Sequence, residues 1–107
     1  INEMKVVVLD ACKKEMRDFP EGSKTALFGL ISDLSSGLTL SMPISKKMTG
    51  MGSGVFELRL KDTSGAYRII YLVKKKDAIF LVHAFKKKSA KTPKKNIDLA
   101  STRIRRL

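Results

Sequence analysis

The chain is poor in the residues that staple small proteins together or hold metals. Of its 107 residues one is cysteine, Cys12, and one is histidine, His83. A single thiol excludes an internal disulfide and a cysteine-built zinc site, and it fits a reducing cytoplasm, the expected location. No HExxH, no paired CxxC and no cluster of acids offers metal ligands, so neither a metal nor another cofactor is expected. A lone histidine excludes any mechanism that needs a histidine pair. Long apolar runs are also missing. The longest, "VVVL" and "AIFLV", fall far short of the ~20 residues of a membrane helix, so no membrane partner is expected. No stretch reads as a secretory signal.

Acidic residues are scarce in one third of the chain. Residues 1–73 carry ten Lys/Arg and eight Asp/Glu, a net +2; residues 74–107 carry twelve Lys/Arg against Asp77 and Asp98 alone, a net +10. A field so one-sided attracts nucleic acid or another polyanion. What remains is ordinary. A 43% hydrophobic fraction suits a globular chain, and the length suits one domain, 1–107, with one modest core.

The pattern of apolar residues predicts the elements. "MKVVVL" (4–9) reads as a strand, Asp10 as the cap of a helix through "CKKEMRDF", and "GSKTALFGLISDLSSG" as a second helix. Residues 42–54, "MPISKKMTGMGSG", read as a loop. "VFELRLK" (55–61), "AYRIIYLV" (66–73) and "AIFLVHAF" (78–85), separated by "DTSG" and "KKKD", read as an antiparallel meander. Thr92 as N-cap and Pro93 as first helical residue open a last helix with a stripe of Ile97, Ala100, Ile104 and Leu107. The class is α+β: an N-terminal strand and two helices, a three-stranded antiparallel meander, and a C-terminal helix packed on one sheet face, with all helices on that face.

If both hairpin loops are even in length, strand parity fixes the faces. Leu58, Ile69 and Val82, then Leu60, Tyr67 and Ala84, then Phe56, Tyr71 and Phe80, form apolar rows of a core. On the other face Arg59 lies opposite Arg68, and Arg68 opposite His83, with Leu81, Phe85 and Lys87 alongside. Like charges directly across strands repel, so the row makes sense with an anion such as phosphate among them. An odd loop or a bulge would shift this register. Alternatives stand beside each assignment. The arginines can pair with acids such as Glu57. His83 is either a packed structural imidazole or a proton-exchanging group. Phe85 is core filler or a base-stacking platform. Lys86, Lys87, Lys88 and Lys91, with Lys46 and Lys47 as a second rim, are a solvated face or the wall of a polyanion site.

"GSGVFELRLKDTSGAYRIIYLV" and "FLVHAFKKKSAKTPKKNIDLASTRI" together resemble the HigB branch of the RelE/ParE toxin superfamily, in its phage-related, host-killing-like form. The resemblance runs from about Lys46 to the end, on "ELR", "YR" and "HAFxKK…TPK". It implies a small basic ribonuclease that enters the 30S A site of the ribosome and cuts the translated mRNA. It also implies a helix-turn-helix, HigA-like antitoxin as partner, with operator DNA contacted only through that complex. The residues carried over are Arg59, Arg68, Lys87 and Lys88. Metal-free cleavage needs the 2′-OH to attack the adjacent phosphate. Arg59 and Arg68 can stabilise the phosphorane, and Lys87, with Lys91 as second choice, can exchange protons. Lys46, Lys47, His83, Phe85, Lys86 and Lys88 are the expected RNA contacts. A ParE-like gyrase inhibitor, a ribosome- or nucleic-acid-binding module, or a DNA-binding corepressor subunit are the alternatives.

Overall fold

The computed structural model describes residues 3–74, 78–88 and 91–107. β1 (Lys5–Val8), α1 (Asp10–Met16) and α2 (Glu21–Ser35) come first. β2 (Ser45–Lys47), β3 (Val55–Asp62), β4 (Gly65–Lys74), β5 (Ala78–Lys87) and α3 (Lys94–Arg105) follow. The class is α+β, as expected. The sheet order is β1-β5-β4-β3-β2, with β1 parallel to β5 and the other neighbours antiparallel. β2 falls where the sequence read as loop. "SKK" has no apolar alternation to betray it, and pairing with β3 holds it. Asp10 and Thr92 make no capping bond. Leu9 and Pro93 occupy the cap positions, and Thr92 bonds elsewhere. No helix among the described residues is long and apolar enough to cross a membrane.

The helices divide between the faces instead of sharing one. Cys12 and Met16 of α1 and Leu27 and Leu34 of α2 pack with Leu58, Ile69, Tyr71 and Leu81 in the larger cluster. Each fully buried Leu or Ile there contributes about 1.5–3 kcal/mol. On the opposite face Ala100 and Ile104 of α3 pack with Val55, Ile70, Leu72 and Val82. Four apolar strand residues on that face need cover, and the α3 stripe supplies it.

The first hairpin has the expected register: Arg59 pairs with Arg68, and Asp62 with Gly65. Asp62 Oδ1 accepts the Ser64 N–H at 2.7 Å and its hydroxyl at 2.6 Å, an Asx turn that fixes the loop. The second hairpin corrects the sequence reading. Lys74 pairs with Ala78, which leaves an odd loop; its residues 75–77, part of the "KKKD" reading, lie outside the described residues. A bulge follows, because Ile70 pairs with His83 but Tyr71 with Leu81, and Val82 is extra. The two one-residue slips add. Arg68 therefore meets Phe85, not His83, and Tyr67 meets Lys86, not Ala84. Phe85 and Lys87 keep their assigned face, while Leu81 joins the larger core and Val82 and Phe80 the smaller.

Gly29 sits inside α2, and a Cβ built on it would meet nothing within 4 Å. Glycine in a helix interior is less favourable than alanine. Gly29→Ala should therefore raise stability by about 0.5–1 kcal/mol in urea titration.

Candidate nucleic-acid interface

The sheet face that carries α3 changes character along its length. Its α3-covered half is apolar. Its other half holds Arg59 on β3, Arg68 on β4 and Lys87 on β5, with Lys46 on β2 beside Glu57. Hairpin register puts the two arginines directly opposite each other, as strand parity required.

Their environments differ. Arg68 is 8% exposed. Its Nη1 donates to the Tyr67 carbonyl at 3.1 Å and the Leu60 carbonyl at 3.4 Å, and its Nε lies 3.5 Å from Glu57 Oε1 without a hydrogen bond. Glu57 is itself buried, and its Oε2 accepts the Thr92 hydroxyl at 2.7 Å. That bond ties the chain beyond β5 to β3. Arg59 is half-buried, and its printed contact is with Met42 Sδ at 3.7 Å. No carboxylate among the described residues pairs with it. Among the described residues, then, one guanidinium of the row has no acidic partner and the other is paired with Glu57. Parity puts Glu57 on the face of Arg59, so this partner was visible in the sequence; the Thr92 tether was not.

Electrostatics follow from this packing. Burial first, then the neighbouring Arg68, pushes the Lys87 amine below its ordinary value; Glu57 opposes, and Arg59 and Lys46 add to the depression. Burial also lowers Arg68, with Glu57 opposing and Arg59 adding. Four cations around one carboxylate leave a local excess of positive charge, open to an anion. Pro43, Ile44, Leu60 and Ala66 join Arg59 and Arg68 in a shallow cleft of about 450 Å³. Guanidinium, ammonium and an apolar wall together suit a phosphate with a base attached.

Several expected RNA contacts lie elsewhere. His83 is 4% exposed. Its Nδ1 is 2.9 Å from Glu15 Oε2 and its Nε2 2.7 Å from Asn96 Oδ1, so it is the packed imidazole and offers nothing to a ligand. Lys47 follows Ser45 to the other side of β2, where Ser45 bonds Tyr71 at 2.6 Å. Lys86 also points away, 5.9 Å over the Tyr67 ring. Phe85 stays on the site's face, half-buried and stacked on His83 at 5.2 Å. Lys88 is exposed just beyond β5. Among the described residues no group of three or more His, Cys, Asp or Glu side chains is placed to hold a metal ion.

A family model described as "Phage derived protein Gp49-like (DUF891)" matches residues 14–105. Among solved structures, a free-state mutant of the E. coli toxin RelE is 16% identical, with a TM-score of 0.63 and 98% of each chain covered. The RelBE2 toxin–antitoxin complex from Mycobacterium tuberculosis is 13% identical, with a TM-score of 0.51, covering 83% of this chain and 97% of that one. At these identities the likeness is one of fold. No curated protein matches.

Proposed function

The chain belongs to the Phage derived protein Gp49-like family, and from that premise and the cationic cleft we propose that it is a HigB-type toxin of a type II toxin–antitoxin pair that cuts mRNA on the ribosome. One observation carries the reading: Arg59, with no acidic partner among the described residues, stands opposite Arg68, with Lys87, held below its ordinary pKa, on the same face. The RelE fold supports it, and so does a relative held in a toxin–antitoxin complex. The partners are an HTH antitoxin of HigA type, the 30S A site with its mRNA, and operator DNA only through the antitoxin complex.

The chemistry divides among the residues. Lys87, or Lys91 in its place, takes the proton of the 2′-OH. The 2′-oxygen bonds to phosphorus, and the bond to the 5′-oxygen breaks. Arg59 stabilises the charge that builds on the equatorial oxygens. Arg68, held by Glu57 and two carbonyls, fixes the depth of the row and adds field. The 5′-oxygen leaves with a proton returned by the protonated lysine or drawn from water, giving a 2′,3′-cyclic phosphate and a 5′-hydroxyl.

With Lys87 held below its ordinary 10.5, its neutral fraction grows at lower pH than for a free lysine. Cleavage should therefore rise with pH through a midpoint below that value, and Lys87→Arg should flatten the profile. Tightly controlled expression with labelled precursors tests the function itself. Protein synthesis should stop first, with cut transcripts. Loss of DNA synthesis first, with an SOS response, would favour the gyrase alternative.

A further inference from the structure

We infer that Met42 is a modification site beside the cationic cleft: a hydroperoxide converts its thioether to a sulfoxide, and the sulfoxide oxygen ties up Arg59. Met42 is 58% exposed. Of the five methionines it is the exposed one: Met16 is buried, and Met4, Met48 and Met51 are half-buried against the two cores. The one thiol, Cys12, does not compete for oxidant. It is fully buried, and burial above all pushes its pKa to about 12, which leaves no thiolate to react at neutral pH.

The thioether is held where it can act on the site. The Ser41 carbonyl accepts the N–H groups of Ile44 and Ser45, both at 3.0 Å, and the Ile44 carbonyl accepts the Arg59 N–H at 2.8 Å. The turn that carries Met42 is thus fastened to the backbone of Arg59, and its next two residues, Pro43 and Ile44, line the cleft. Arg59 Nη1 lies 3.7 Å from Met42 Sδ. A thioether is a weak acceptor, so the guanidinium stays available to a phosphate. A sulfoxide oxygen on that sulfur is a polar acceptor one bond length nearer, in the ~2.9 Å range of an N–H···O bond. The sulfur lone pair attacks the distal oxygen of the peroxide, and the S–O bond forms as the O–O bond breaks. Sulfur gives up two electrons to the peroxide. The proton of the transferred oxygen passes to the other oxygen, which leaves as water or an alcohol. A thiol-dependent sulfoxide reductase reverses the change, two thiols supplying the electrons and the oxygen leaving as water. The consequence for cleavage rests on the RNA-cutting reading; the bond to Arg59 does not.

The test treats the full chain with dilute hydrogen peroxide and maps oxygen uptake by mass spectrometry. Met42 should be oxidised ahead of the other four methionines. Labelling by phenylglyoxal, an arginine-selective dicarbonyl, should then slow at least about threefold at Arg59 and stay unchanged at exposed Arg17 and Arg106. Cleavage of ribosome-bound message should fall about three- to tenfold and recover after treatment with a sulfoxide reductase. Met42→Leu, similar in size but without sulfur, should cut as the parent does and ignore peroxide. Met42→Gln, whose amide oxygen stands in for the sulfoxide, should be slowed from the start; both variants should melt with the parent. Equal uptake at another methionine, unchanged Arg59 labelling once Met42 is oxidised, or an equal loss of cleavage in peroxide-treated Met42→Leu would overturn the assignment. If untreated chain cuts no message, the RNA-cutting reading fails, and the labelling at Arg59 still decides this one.

Discussion

Arg59→Ala is expected to slow cleavage of ribosome-bound message about 10²–10³-fold, the usual loss for one preorganised donor to a developing oxyanion. Thermal stability should stay within about 0.5 kcal/mol of the parent, because the side chain is half-buried, with Met42 its neighbour and no buried network depending on it. Arg68→Ala is a poorer probe. It strips the counter-charge from Glu57, which is 2% exposed, and breaking a buried pair from one side costs about 3–5 kcal/mol. Loss of activity there would mix misfolding with chemistry. Quantitative primer extension on a single transcript, with melting curves in parallel, separates the two effects. A drop of less than about threefold for Arg59→Ala would mean that no reacting phosphate sits there.

The second large effect belongs to Glu15. Its carboxylate takes two bonds from Arg103, at 2.8 and 3.1 Å, and the Ala84 N–H at 3.2 Å, and lies 2.9 Å from His83 Nδ1. Arg103 also donates to the Val82 carbonyl at 2.9 Å. One carboxylate therefore pins α1, α3 and the bulge of β5 together, on a strand edge that β1 does not reach. Glu15→Ala should cost about 3 kcal/mol, since it leaves Arg103, His83 and a backbone N–H without their partner. Burial pushes the Glu15 carboxyl up, but the bonds from Arg103, His83 and Ala84 outweigh it and hold it below its ordinary 4.5. A depressed carboxylate contributes stability that is complete above its unfolded value and is lost as pH falls through its folded one. Stability should thus decline on acidification below about 4.5, and Glu15→Gln should blunt that decline. Cys12 reports the opening. Burial pushes its thiol to about 12, with Glu15 adding and Arg103 opposing, so alkylation at neutral pH should await loss of the α1 contact. Urea titration across acidic pH checks the magnitude; a Glu15→Ala loss under about 1 kcal/mol would contradict the clamp.

How much could be read from the chain varied with the kind of signal. The Arg59–Arg68 pairing was legible because the first loop is even and Asp62 fixes its turn. The second register was not, since no glycine marks the bulge at Val82 and "KKKD" gives no sign of an odd loop. That the two slips would cancel in parity, keeping Lys87 beside Arg68, could not be foreseen. β2 lacked alternation. The smaller core was hidden because Val55, Ile70 and Leu72 lie in strands whose other face is equally apolar, so period-two reading could not separate a two-sided strand from a one-sided one. For His83 both readings were open, and only the placement of Glu15 and Asn96, far away in sequence, decides for packing.

On the proposed reading, the Arg59–Arg68–Lys87 row cuts RNA by internal attack of the 2′-OH. The most direct measurement is the chemistry of the ends produced when purified chain acts on ribosomes programmed with a defined mRNA. The prediction is a cyclic phosphate upstream and a 5′-hydroxyl downstream, within the A-site codon, with both vanishing in Arg59→Ala. Ends bearing a 5′-phosphate, or intact message under conditions where the chain still arrests translation, would contradict it.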